Sequence, residues 1–137
     1  MILADTSALV EYDRATQSLV DQRLTELIAK GNSVAVTQPV IMEFLAGARN
    51  NQRESDLRRL LSYFRLLSFD AACDFEGAMR IYRHCRQAGV TPRGMVDCMI
   101  AAVALRNGAT LLTSDIDLIH IAGIFGIDLD KASVRVS

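Results

Sequence analysis

Four acidic residues stand where a folded α/β chain would gather them. Asp5 closes a short apolar strand pattern, and Asp115 follows a second one at 110–113. Glu43 and Asp97 lie near the starts of two apolar helical patterns. The ends of parallel strands and the first turns of the following helices meet at one edge of a sheet, where ligands bind. The four carboxylates are therefore expected to meet in one crevice.

A cluster of carboxylates predicts a bound cation. Two carboxylates about 4 Å apart repel by roughly 4 kcal/mol at an effective dielectric near 20, and oxygen ligands favour Mg²⁺ or Mn²⁺. Asp117 lies two residues beyond Asp115 and competes with it for the role of fourth ligand. The sequence leaves that choice open, as it does the choice between one ion and two. We expect a metal-dependent enzyme that acts on phosphate esters.

Each acid also has a simpler interpretation. An Asp after a strand is often a turn residue or a helix cap, so Asp5 and Asp115 could do no more than cap helices. Asp97 falls in the first turn of a helix, where a carboxylate favours the helix dipole. Glu43 sits in an apolar stretch, and burying an unpaired carboxylate there would be costly, so a partner for Glu43 is expected.

Strand and helix patterns alternate along the chain. Strands are predicted at 2–5, 33–37, 66–69 and 110–113, with a last edge strand at 134–136. Between them lie helical patterns at 8–12 with Ser7 as cap, 20–28, from Pro39, 57–64, 75–85, 95–107 and 118–122. This order predicts an α/β fold with a mostly parallel sheet covered on both faces. A chain of 137 residues suits a single domain, 1–137.

The composition predicts a soluble, cytoplasmic protein. Half of the residues are hydrophobic, and the longest apolar run, Cys98 to Leu105, is too short to span a membrane. No basic leader precedes Asp5, so no signal peptide is expected. The three cysteines form no C-x-x-C pair and are interpreted as buried, reduced thiols. The two histidines are too far apart for a zinc site.

The net charge of −1 conceals a basic middle segment. Between Arg49 and Arg93 there are nine arginines against five acids, a balance of +4. A basic segment beside an acidic site suits a polyanion held near a metal, and Arg49 and Arg53 are candidate RNA contacts. The alternative is that these arginines only cover solvated helix faces.

Order and spacing of the acids resemble the PIN domain. The matching segments are Asp-Thr-Ser at 5–7, Glu43, Val-Asp-Cys-Met-Ile-Ala-Ala at 96–102 and Thr-Ser-Asp-Ile-Asp at 113–117. The resemblance covers essentially the whole chain, whose length and layout look like the VapC toxins of bacterial type II toxin–antitoxin systems. One departure is Leu118, where the family often has an aromatic residue after the last acid.

The resemblance implies a PIN-like α/β/α sandwich and a Mg²⁺- or Mn²⁺-dependent ribonuclease. Asp5 and Asp97 match its principal metal ligands, Glu43 and Asp115 match the other acids, and Asp117 is an additional or substitute acid. Ser7 and Thr113 match polar residues that support the site. A metal-activated water would attack the phosphodiester in line and leave a 3′-hydroxyl and a 5′-phosphate. No 2′-hydroxyl attack is needed.

The resemblance also implies partners. They are an RNA substrate, a VapB-type antitoxin, and a second copy of the chain in a homodimer or a toxin–antitoxin hetero-oligomer. An antitoxin helix could lie against apolar residues of the first two helices, namely Leu9, Val10, Leu19, Val20 and Leu24.

The sequence is also compatible with two other functions. The protein could bind RNA and block translation without cutting it. It could instead be an aspartyl-phosphate phosphatase, although such sites typically have a second acid two residues after the nucleophile, and here that residue is Ser7.

Overall fold

A parallel sheet forms the centre of the computed structural model, which describes residues 1–133. Its strands are β1 (Ile2–Ala4), β2 (Val34–Val36), β3 (Arg65–Leu66) and β4 (Thr110–Leu112), in the order β3-β2-β1-β4. Leu3 of β1 pairs with Ala35 of β2 on one side and with Leu111 of β4 on the other. All three strand pairs are parallel, so the strands end along a common edge.

Seven helices surround this sheet within the described residues. They are α1 (Thr6–Asp13), α2 (Leu19–Ala29), α3 (Gln38–Ala46), α4 (Asn51–Leu61), α5 (Asp74–Gln87), α6 (Met95–Asn107) and α7 (Ile116–Phe125). Successive strand residues point to opposite faces of a sheet, and both Leu3 and Ala4 are fully buried. Helices therefore cover both faces, and the predicted α/β/α sandwich is confirmed.

Local sequence signals explain most helix ends. Asp5, Ser18 and Asn50 accept backbone N–H groups at the starts of α1, α2 and α4. At the end of α6, Gly108 adopts a left-handed conformation with φ 61°, which glycine accepts at little cost. No described helix has the length and apolar character needed to cross a membrane.

Some predicted details were wrong. Ser7 does not cap the first helix, because Asp5 does so from the end of β1 and the helix begins two residues earlier than predicted. The predicted strand at 66–69 is the two-residue edge strand β3, and the helix predicted at 118–122 is the longer α7. The strand predicted at 134–136 lies outside the described residues.

The predicted apolar docking surface on α1 and α2 is also largely wrong. Leu9, Val20 and Leu24 are all at most 2% exposed, because the two helices pack against each other and against the sheet. Of the five residues proposed for this surface, Leu19 stands out at 48% exposure. Leu9, Val20 and Leu24 are therefore core residues, whereas Val10 is only half-buried and Leu19 is exposed.

Candidate active site

The five predicted acids line one cleft at the edge where the strands end. The cleft has a volume of about 570 Å³ and is lined by Asp5, Glu43, Asp97, Asp115 and Asp117, together with Thr6, Ser7, Val10, Glu11, Arg93, Gly94, Val96 and Ser114. We call it the acidic cleft. The carboxylates reach it from the ends of β1 and β4, the middle of α3 and the first turns of α6 and α7. Parallel strands and their crossover helices thus gather residues that are far apart in the sequence.

Asp5 is the most firmly held acid. Its Oδ1 accepts hydrogen bonds from the Ala8 N–H at 3.0 Å and from the Ser7 hydroxyl at 2.7 Å. Its Oδ2 accepts one from the Thr113 hydroxyl at 2.6 Å. Burial raises the pKa of Asp5 to about 6, although the three hydrogen bonds lower it. A carboxylate has about four acceptor positions, so Oδ2 keeps one for a further ligand.

Ser7 and Thr113 connect the ends of β1 and β4 through their hydroxyl groups. Besides binding Asp5, the Ser7 oxygen accepts the Ser114 N–H at 2.9 Å, and the Thr113 oxygen accepts the Asp115 N–H at 2.9 Å. The two hydroxyl oxygens are 3.2 Å apart. The position of Asp115 is therefore coupled to that of Asp5.

Ser133 supports this network from the end of the described chain. Its hydroxyl accepts the Thr113 N–H at 2.9 Å and donates to the Leu111 carbonyl at 3.3 Å. Arg23 holds the same segment by donating to both carboxylate oxygens of Asp130 at 3.2 Å. No local sequence pattern identifies Ser133, which meets Thr113 only through the fold.

Three carboxylates come close enough to share a cation. Asp97, Asp115 and Asp117 each offer an oxygen within 4.8 Å of the others. The pKa of Asp97 rises to about 7, chiefly through desolvation and then through the charges of Asp115, Asp5, Glu43 and Asp117. This repulsion, together with the all-oxygen donor set, fits a hard divalent ion. Within residues 1–133, Asp5 and Glu43 line the same cleft but do not belong to this closest group.

Glu43 has the partner that its apolar surroundings predict. The Thr6 hydroxyl donates to Glu43 Oε1 at 2.6 Å. This contact joins the start of α1 to α3 across 37 residues of sequence. Oε2 makes no hydrogen bond within residues 1–133 and stays available to a ligand.

Arg93 is a site residue that the sequence did not identify. Its Nε donates to Asp117 Oδ2 at 2.6 Å, and its Nη2 is 3.6 Å from Asp115 Oδ1. The hydrogen bond from Arg93 lowers the pKa of Asp117. The available signal was its position four residues before Asp97, between Pro92 and Gly94.

Arg49 and Arg53 lie outside the acidic cleft, in a neighbouring one. This second cleft, here called the arginine cleft, has a volume of about 360 Å³ and is lined by Val10, Asp13, Arg14, Phe44, Gly47, Arg49, Asn50, Arg53 and Leu57. Val10 lines both clefts. Arg53 forms an ion pair with Asp13, whereas Arg49 and Arg14 pair with no acid among residues 1–133.

The cysteines do not contribute a nucleophile to the acidic cleft. Cys98 follows Asp97 but is fully buried, and burial raises the pKa of its thiol to about 12. Cys85 is buried as well, so two of the three predictions are confirmed. Cys73 is exposed, contrary to prediction, because it lies in the turn just before α5.

Comparisons with proteins of known family agree with the resemblance seen in the sequence. The family model described as PIN domain matches residues 2–124. Ribonuclease VapC11 of Mycobacterium tuberculosis is 42% identical over 136 residues, which cover 98% of this chain and 100% of that protein. Ribonuclease VapC2 of Rickettsia felis is 33% identical over 96 residues, which cover 66% of this chain and 69% of that protein.

Solved structures share the fold. VapBC2 from Rickettsia felis bound to a DNA fragment from its promoter has a chain that superposes with a TM-score of 0.75 at 26% identity, covering 95% of this chain and 98% of that one. VapBC-1 from nontypeable Haemophilus influenzae gives a TM-score of 0.74 at 18% identity, covering 97% and 99%. With a family match over most of its length and a relative that aligns from end to end, this chain belongs to the PIN-domain family and, within it, to the VapC group.

Proposed function

We propose that this protein is a Mg²⁺- or Mn²⁺-dependent endoribonuclease that acts as a toxin in the cytoplasm. The observation that carries the proposal is the convergence of five carboxylates on one cleft, those of Asp5, Glu43, Asp97, Asp115 and Asp117. The relative that is 42% identical carries the name ribonuclease, which supports RNA as the substrate.

The residues of the acidic cleft have distinct roles in this proposal. Asp5, Glu43, Asp97 and Asp115 would hold the ion. A divalent ion there supplies an activated water and polarises a phosphoryl oxygen. Asp5 is preorganised, because Ser7, Ala8 and Thr113 fix both of its oxygens. Glu43 is fixed through Oε1, and its free Oε2 can also orient the attacking water.

Chelation is the direct test of this activity. Incubated with total cellular RNA, the protein should produce discrete fragments with 5′-phosphate and 3′-hydroxyl ends. EDTA should stop the cleavage and excess MgCl₂ should restore it. Intact RNA under all of these conditions, combined with tight RNA binding, would instead favour a translation inhibitor that does not cleave.

RNA should reach the acidic cleft along the arginine cleft. The two clefts share Val10, and the arginines supply the positive charge that the acidic cleft lacks. Single-stranded or looped RNA is the expected substrate, because proteins read exposed bases more readily than paired ones.

Removing Arg49 and Arg53 together should weaken RNA binding and flatten its salt dependence. Each lost contact with a single-stranded phosphate lowers the logarithmic salt slope by about 0.7. Arg49→Gln alone should account for most of the effect, because Asp13 already neutralises Arg53. Affinities for a labelled RNA, measured across a range of KCl concentrations, would give the slopes.

Arg58→Gln is the matched control for this experiment. Arg58 lies on α4, the same helix as Arg53, and is exposed and paired with Glu54. If the double variant and Arg58→Gln had the same slope, Arg49 and Arg53 would be solvated surface residues.

We further propose that a VapB-type antitoxin neutralises the protein. The solved VapBC2 structure, which matches this chain at 26% identity, supports such a partner, and homodimers or hetero-oligomers are the expected assemblies. Expression of this chain alone should stop growth, and co-expression of the adjacent small gene product should restore it. Light scattering of the copurified proteins would give the stoichiometry. A harmless monomer that copurifies with no partner would contradict this proposal.

A further inference from the structure

Arg93 is the one basic side chain among the described residues that line the acidic cleft. Six carboxylates line the same cleft, five of them the predicted acids and the sixth Glu11. A single divalent ion would leave such a site negatively charged. A phosphodiester, itself an anion, would then be repelled unless a cationic group received it.

The guanidinium of Arg93 is hydrogen-bonded through Nε, whereas its Nη1 and Nη2 atoms make no hydrogen bond within residues 1–133. Its Nε and its backbone N–H both donate to Asp117 Oδ2, at 2.6 and 3.4 Å. Its Nη2 forms an ion pair with Asp115 Oδ1 at 3.6 Å, a distance too long for a hydrogen bond. Within residues 1–133, the four N–H groups on Nη1 and Nη2 therefore have no hydrogen-bond acceptor.

Arg93 is more exposed than the arginines that pair with the buried acids Asp74 and Asp130. Its side chain is 75% exposed, whereas that of Asp117 is 18% exposed. By comparison, the Arg106 side chain, which binds both carboxylate oxygens of Asp74 across α5 and α6, is 36% exposed. Arg93 instead stands over the open cleft with most of its donors directed to no protein group.

We propose that Arg93 binds the RNA phosphodiester at the acidic cleft and that Asp117 holds it ready between substrates. The planar guanidinium offers paired N–H donors that match two phosphate oxygens. This inference rests on the proposed ribonuclease function and identifies the group that receives the substrate. Asp117 is then a positioning residue for Arg93, and Asp115 is the acid left to the metal.

Arg93→Gln is the central test, read out by RNA binding and by metal binding. RNA affinity, measured by fluorescence anisotropy in a Glu43→Gln background so that the RNA stays intact, should fall by about 10- to 100-fold, because hydrogen bonds to charged groups are the strong ones. The salt slope should fall by about 0.7. In the active protein, KM should rise more than kcat falls. Arg93→Lys should recover part of the affinity.

Arg93→Gln should not weaken metal binding as it weakens RNA binding. Calorimetric titration with Mn²⁺ should show unchanged or tighter binding in Arg93→Gln, because a positive charge has been removed from beside Asp115 and Asp117. Asp117→Asn should lower Mn²⁺ affinity much less than Asp97→Asn, because Asp117 is paired with Arg93.

Arg80→Gln is the matched control, since Arg80 is equally exposed and pairs with Glu76 on α5. If Arg93→Gln binds RNA with the affinity and salt slope of Arg80→Gln, Arg93 is not a phosphate ligand. The same holds if Arg93→Gln loses Mn²⁺ and RNA affinity together. A wild-type protein that cleaves no RNA with Mg²⁺ overturns the proposed function, whereas cleavage by wild type with normal RNA binding by Arg93→Gln overturns this inference alone.

Discussion

Asp97→Asn should abolish RNA cleavage while the protein stays folded. The substitution keeps the size of the side chain but removes the charge that faces Asp115, Asp5 and Glu43. Loss of outer-sphere partners of a metal costs about 10- to 100-fold, so loss of a direct ligand should lower kcat/KM by at least about 100-fold. Asp5→Asn should have a similar effect. Cleavage rates and Mn²⁺ titrations of the same preparations would test both.

Cys98→Ala provides the control next to Asp97. Cys98 is fully buried and lies on the same helix, so its truncation tests whether any disturbance of α6 stops the reaction. Because the pKa of its thiol is raised to about 12, it cannot supply a thiolate near neutral pH, and activity should stay within about 3-fold of wild type. An inactive Cys98→Ala protein that is folded and still binds Mn²⁺ would rule out a mechanism based on the acids alone.

The fold was predictable because its signals are local. Alternating strand and helix patterns are sufficient for a parallel sheet covered on both faces, and Gly108 marks the end of α6 as expected. The strand predicted at 66–69 was misplaced because the apolar residues after β3 continue its pattern. The β3 residues themselves, Arg65 and Leu66, are both exposed at the sheet edge.

The interpretation of Asp5 required the structure. At the sequence level, helix cap and ligand are alternatives for an Asp that follows a strand. The structure shows the cap and leaves room for a ligand, since Oδ1 caps α1 while Oδ2 keeps an acceptor position free. A single carboxylate has enough acceptor positions for both roles, and the cap fixes its orientation.

Three further supporting residues, Thr6, Arg93 and Ser133, were not predictable because their contacts are distant in sequence. Thr6 meets Glu43 across 37 residues, Arg93 meets Asp117 across 24, and Ser133 meets Thr113 across 20. Polar residues such as these are common on any surface, so their identity says nothing until the fold places them beside an acid.

The error on α1 and α2 has a related cause. Leu9 and Leu24 show the helical spacing of an apolar face, but spacing alone does not say what covers that face. The two helices cover each other and the sheet. The two helices carry more apolar residues than are needed to cover one face of the sheet. These extra residues indicated packing between the helices within the fold, not an external partner.

Without metal, Asp97→Asn should make the protein more stable than wild type at neutral and alkaline pH. The pKa of Asp97 is raised from 3.8 to about 7 by desolvation and by its acidic neighbours. The folded state therefore binds more protons than the unfolded state between about pH 4 and 7, and metal-free wild type loses stability as the pH rises through that window. The asparagine variant has no such charge and should not show this loss.

The expected gain in unfolding free energy is about 1–2 kcal/mol at pH 8. A shift of about three units sets an upper limit near 4 kcal/mol, and solvent screening of the half-buried Asp97 reduces it. The difference in unfolding free energy between Asp97→Asn and wild type should vanish near pH 4. Excess MgCl₂ should make wild type more stable than Asp97→Asn. Mg²⁺ binding stabilises the folded state, and only wild type keeps all of its metal ligands. Urea denaturation with EDTA or with MgCl₂, at each pH, would measure these differences.

Asp117→Asn separates charge repulsion from a general effect of removing an acid. Arg93 lowers the pKa of Asp117, so ionised Asp117 stabilises the fold above its ordinary pKa and loses that contribution as the pH falls. Asp117→Asn should therefore not raise the unfolding free energy at pH 8. If both variants were equally stabilised, the effect would reflect net charge and not the crowding of carboxylates around Asp97. If neither variant differed from wild type in stability with EDTA present, the repulsion among the carboxylates of the acidic cleft would be too weak to require a cation.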